Sequence, residues 1–137
     1  MSTEPFEIVE HTADWSLRVR GEDLGQLFRY AAMGMGMLMV EDLEALPDDV
    51  ERRLELEAYD AEGLLVDWLN ELAYWAEMEQ IVINSIELNE ISETRLAATL
   101  RGGKATALDK HIKAVTFHNL AIIKTNSGLE VTIVFDV

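Results

Sequence analysis

No cysteine occurs in the chain. Disulfides, thiolate metal sites, iron–sulfur clusters and cysteine nucleophiles are therefore excluded. Basic residues are scarce as well: 11 stand against 26 acidic ones, a formal charge of −15 on 137 residues. Nucleic-acid affinity comes mostly from cations that neutralise phosphates, and a body this acidic repels a polyanion. Direct tight binding of RNA or DNA is not expected; basic protein surfaces and cations suit the charge better. Long hydrophobic runs are missing too. The longest uncharged apolar stretch, Tyr30 to Val40, is too short to span a bilayer. No secretory signal opens the chain, so the expected compartment is the cytoplasm, without a membrane partner.

What is present is a globular composition. Apolar residues make up 49% of the chain, and its length suits a single domain, residues 1–137, with a real core. Phe6–Glu10 reads as a strand. So does Trp15–Arg20, where Trp15, Leu17 and Val19 alternate with polar residues. Asp23 opens a helix, with Gln26 three positions on as in a capping box. Leu24, Leu27, Phe28, Ala31, Met35 and Leu38 form its apolar stripe. Its tail, Met33-Gly34-Met35-Gly36-Met37, reads as glycines that let the helix lie close to the sheet, or as an adaptable Met-rich contact surface.

An acidic loop, Glu41 to Asp49, precedes a strand over Val50–Tyr59. Asp60 caps a second helix running to about Glu79, whose buried stripe is Leu65, Trp68, Leu69, Leu72, Trp75 and Ala76. The remainder reads as β. Ile81–Ile91 and Thr94–Arg101 make a hairpin, Gly102-Gly103 and Leu108–His111 a loop, Ile112–Lys124 one long strand, and Glu130–Val137 the last. The order β-β-α-β-α-β-β-β-β predicts an α+β domain, two helices packed against mainly antiparallel sheet.

Familiar catalytic signatures are lacking. G-x-S-x-G, a phosphate loop, a dinucleotide fingerprint and zinc-spaced histidines do not occur. The polar points are His11-Thr12-Ala13-Asp14 after the first strand and Asp136-Val137 at the end of the last. If they meet in space, two side-chain carboxylates and a free α-carboxylate converge, an all-oxygen set suited to a hard cation. Taken singly, an Asp after a strand is usually a turn former or helix cap. In the segment Lys113–Leu120, alternation assigns Val115, Phe117 and Asn119 to one face and Ala114, Thr116 and His118 to the other. In the last strand Val131, Ile133, Phe135 and Val137 share a face, with Asp136 opposite. A small metal hydrolase using Asp14, Asp136 and His118 is one reading, and a general protein-binding or chaperone-like acidic module another.

Four segments in register resemble the archease family: His11–Asp14, Leu64-Leu65-Val66-Asp67-Trp68-Leu69-Asn70-Glu71-Leu72, Ile112–Leu120 and Val134-Phe135-Asp136-Val137. Trp15 departs from it, standing where many relatives carry a smaller aliphatic residue. The resemblance implies an accessory protein, not an enzyme, whose partner is an RtcB-type RNA ligase. Such proteins promote the ligase's guanylylation and its multiple turnover in tRNA splicing or RNA repair. It also implies a divalent-metal site, with calcium first and magnesium or manganese as alternatives. The metal ligands would be Asp14, Asp136 and Val137, the last through main-chain or terminal oxygen.

Overall fold

The acidic caps foreseen at Asp23 and Asp60 set where both helices begin in the computed structural model, which describes residues 5–10, 14–117 and 119–137, the side chains of Val9, Glu10 and Asp14 excepted. Asp23 Oδ1 accepts the Gln26 N–H at 2.9 Å and starts α1, Leu24–Met39. The reciprocal arm differs from an ordinary capping box: Gln26 Oε1 accepts the N–H of Glu22, one residue before the cap. Asp60 Oδ1 accepts the Gly63 N–H at 2.7 Å and starts α2, Ala61–Glu79, which ends on Gln80 in the left-handed region at φ 58°.

Every strand pairing among the described residues is antiparallel. One sheet runs in the order β1 (Phe6–Glu10), β2 (Asp14–Gly21), β8 (Gly128–Asp136) and β6 (Ala114–Thr116), and β7 (Ile123–Thr125) also pairs with β8. The second has β5 (Arg95–Lys104) between β3 (Val50–Glu57) and β4 (Ile81–Ile91). The expected α+β class, with two helices on antiparallel sheet, is what the chain adopts.

Both helices pack against both sheets, α1 on β2 and β4, α2 on β4 and β6. This explains why α2 buries more than one stripe. Leu65, Trp68, Leu69, Leu72, Trp75 and Ala76 are buried as expected, and Leu64, Val66 and Ala73 are buried too. The Trp68 indole donates to the Phe28 carbonyl at 3.0 Å, tying the helices together inside the core. Gly34 lets α1 approach β2: a Cβ there would lie 2.7 Å from Leu17 Cδ2. The glycines of the Met-rich tail thus serve packing, while Met33 and Met37 are left on the surface.

Two expectations are corrected. Gly102 and Gly103 are not loop residues but the end of β5, paired with Ile83 and Val82 on β4. Nor is 112–124 one strand. β6 stops at Thr116, Asn119 turns into positive φ at 56°, the Leu120 N–H returns to the Phe117 carbonyl at 3.1 Å, and β7 begins only at Ile123. The physical cause lies on α2, where Glu62 Oε2 accepts the Ile122 N–H at 3.1 Å and holds the chain away from a continuous ladder. Val115 and Phe117 accordingly do not share an environment: Val115 is buried, and Phe117 is 55% exposed.

Candidate functional site

The central strand of the first sheet, β8, alternates as its sequence suggests. Val131, Ile133 and Phe135 are buried, and Thr132 and Asp136 are exposed on the other face. On β2 the same division separates buried Leu17 and Val19 from Arg18 and Arg20. Register then decides which polar positions meet. Asp14 is the partner of Asp136 across β2 and β8, and Ala114 is the partner of Asp136 on the other side. One step along, Ser16 and Thr116 both face Val134, from β2 and β6 respectively. Residues directly opposite on antiparallel strands have Cβ atoms about 5 Å apart. A row of two carboxylate positions therefore adjoins a row of two hydroxyl positions, on the face turned from the core.

Two features distinguish the hydroxyl row. Ser16 is 6% exposed, buried although polar. Thr116 Oγ1 is buried and has no hydrogen-bond partner among the described residues. Buried polar atoms are almost always satisfied, which makes this oxygen an exception among the described residues.

The strand carrying Thr116 is clamped from behind. Asn70 on α2 accepts the Val115 N–H at 2.9 Å and donates to the Val115 carbonyl at 3.3 Å. β6 lies at the end of the sheet order, so this carboxamide takes the place of a next strand. At the same end the Lys113 N–H donates to the Asp136 carbonyl at 2.8 Å. The reading of α2 from sequence placed Asn70 on its polar side without a role. Its signal, a carboxamide among charged neighbours, is too ordinary to single out.

Val137 follows β8 and is half-buried against the core. On the core-facing side, Lys110 Nζ lies 3.9 Å from the centroid of the Trp15 ring, a cation–π contact at the same end of the sheet. His11, Thr12, Ala13 and His118 lie outside the described residues. The His111 side chain is engaged with α2, its Nδ1 2.9 Å from Glu77 Oε2. Among the described residues, no three acidic or histidine side chains converge as a metal cluster. The side chains offered by the register positions Asp14, Asp136, Ser16 and Thr116 are of oxygen-donor type, the chemistry a hard cation takes, and the Thr116 hydroxyl is the one without a partner among the described residues.

The Archease protein family model (MTH1598/TM1083) matches residues 6–137. The chain belongs to the archease family. The archease of Methanosarcina mazei is 34% identical over 140 residues, an alignment covering 96% of this chain and 95% of the relative. That of Archaeoglobus fulgidus is 31% identical over 137 residues, covering 96% of this chain and 98% of its own. The solution structure of Methanobacterium thermoautotrophicum protein 1598 superposes with a TM-score of 0.79 at 27% identity, over 98% of this chain and 100% of that one. The archease of Thermotoga maritima shares the fold with a TM-score of 0.69, at 22% identity, over 96% of both chains. The matched span takes in both carboxylate positions, Asp14 and Asp136.

Proposed function

We propose that this chain is a non-catalytic, cation-binding activator of an RtcB-type RNA ligase, promoting the ligase's guanylylation and its multiple turnover in tRNA splicing or RNA repair. The observation that carries the reading is the pairing of Asp14 with Asp136 across β2 and β8. Asp14, Asp136 and a main-chain oxygen of Val137 would hold a divalent cation, calcium first, with magnesium or manganese as alternatives. A bound cation supplies concentrated positive charge for a phosphate or for a carboxylate of the partner. The chain's own residues supply the rest. Paired strands hold the two aspartate positions in fixed register, and the Asn70 clamp holds the edge of the sheet. A formal charge of −15 favours docking on a protein whose surface is basic for RNA and disfavours binding the RNA directly. No helix among the described residues is long and apolar enough to cross a membrane, and the proposed place of action is the cytoplasm.

The test combines the pure protein with an RtcB-type ligase, guanosine triphosphate and cleaved tRNA. Faster ligase guanylylation and more ligated product per ligase are expected. Unchanged ligase kinetics would overturn the activator reading, and RNA chemistry by this chain alone would move it to the metal hydrolases. A second reading, a general protein-binding or chaperone-like module, is favoured by Met33 and Met37, exposed at 36% and 50% on one side of α1. Suppression of client aggregation without any effect on the ligase would select it.

A further inference from the structure

Thr116 stands out among the polar residues in register with the Asp14–Asp136 pair because its hydroxyl oxygen is buried and unpartnered among the described residues. A buried hydroxyl without a partner is a cost that a β-branched apolar residue of the same shape would avoid. The position itself is well determined. Thr116 pairs with Val134, and its neighbour Val115 is held on both main-chain groups by Asn70. Two residues before Thr116 on β6, Ala114 pairs with Asp136. The hydroxyl position is therefore one step along the strand from the carboxylate row, on the same face and at a fixed register.

We propose that Thr116 is a further binding residue of this site, its Oγ1 serving as an oxygen partner of a bound divalent cation or of that cation's water. The inference rests on the cation-site reading of Asp14 and Asp136 and adds a residue to it. A hydroxyl suits the role. It is neutral, so it adds no repulsion between the carboxylates, and it both donates to a carboxylate and accepts from a metal-bound water. Ser16, facing Val134 from the opposite strand, provides a second hydroxyl position in the same row.

The experiment titrates calcium chloride into calcium-free wild-type protein and into the variants Thr116→Val and Thr116→Ser, by calorimetry, and records the melting temperature of each without metal. Thr116→Val should weaken calcium binding about 10–100-fold, the usual effect of losing an outer partner of a metal site. Its metal-free melting temperature should be unchanged or higher, because the orphaned oxygen is gone. Thr116→Ser, which keeps the oxygen, should bind as the wild type does. Equal calcium affinity in Thr116→Val would overturn the role of Thr116 and leave the carboxylate site standing. A lowered metal-free melting temperature in Thr116→Val would also overturn it, since the hydroxyl would then have a structural partner. Wild-type protein that binds no calcium, magnesium or manganese would remove the site itself, and this inference with it.

Discussion

One carboxamide on α2, that of Asn70, satisfies both the N–H and the carbonyl of Val115, at 2.9 and 3.3 Å. β6 is only three residues long and has β8 on one side, so Asn70 replaces the strand that would otherwise continue the sheet. Asn70→Ala leaves two main-chain groups to find other partners. It should destabilise the fold by about 1–3 kcal/mol, the cost of unsatisfied part-buried groups. Urea denaturation measures the loss, and hydrogen exchange should show the Val115 amide exchanging faster. Asn70→Asp, which keeps the acceptor for that amide, should preserve more of its protection. Unchanged exchange at Val115 in Asn70→Ala would show that the clamp is dispensable.

Asp136 ends an exposed position on a strand whose apolar face lies opposite. Asp136→Ala and Asp14→Ala should each abolish divalent-cation binding and ligase activation while changing stability by no more than about 1–2 kcal/mol, as expected outside the core. Calorimetry and thermal melting on the same samples separate the two effects. A variant that fails to fold would make the carboxylate a structural element instead.

Gly103 contrasts sharply with Gly25. A Cβ on Gly103 would collide with the Pro47 carbonyl, backbone that cannot swing aside, whereas the nearest neighbour of a Cβ on Gly25 is Asp23 Oδ1 at 3.4 Å. Gly103→Ala should lower stability by about 1–3 kcal/mol, the range for forced overpacking. Gly25→Ala, inside α1, should be neutral or raise it by up to about 1 kcal/mol. Thermal denaturation of the two variants decides; a tolerated Gly103→Ala would mean that the Pro47 loop yields.

Arg52 and Glu79 form a two-point ion pair, Nη1 to Oε2 at 2.8 Å and Nη2 to Oε1 at 2.7 Å, with the guanidinium 5.0 Å from the Trp75 ring centroid. The hydrogen bonds from Arg52 hold the Glu79 carboxyl below its ordinary value, partial burial opposing them. A depressed folded value means that the pair's contribution is present above the ordinary glutamate range and is lost as pH falls through the folded value. The melting temperature of the wild type should exceed that of Glu79→Gln at neutral pH, and the gap should close once the pH has fallen well below the ordinary glutamate range. A gap that persists in strong acid would show that the carboxylate's charge is not what matters.

Much of the fold was legible because it is written in local pattern. The stripes of α1 and α2, the caps at Asp23 and Asp60 and the alternation of Trp15–Arg20 and Val131–Phe135 recur at spacings that each element itself imposes. The carboxylate positions were also visible, as unexpected charges at the ends of apolar strands. Reading failed where a partner from elsewhere overrides local preference. The run Ile112–Lys124 has strand composition, yet Glu62 and Asn70 on α2 take main-chain groups of Ile122 and Val115 and break it in two. Gly102-Gly103 looks like loop composition, yet close approach to β4 and to Pro47 makes glycine the residue that fits inside β5.

By itself, then, the amino-acid order determined which residues form helices and strands, which faces turn inward, and that the body is acidic and without thiol chemistry. Only the tertiary structure decided that Asp14 lies opposite Asp136, that Ser16 and Thr116 flank Val134, and that Asn70 closes the sheet's edge. The reason is physical. Periodicity and capping act over a few residues and leave their mark in every short window, whereas strand register and edge pairing are set by contacts between segments far apart in the chain, where one residue of slip would turn every side chain to the other face.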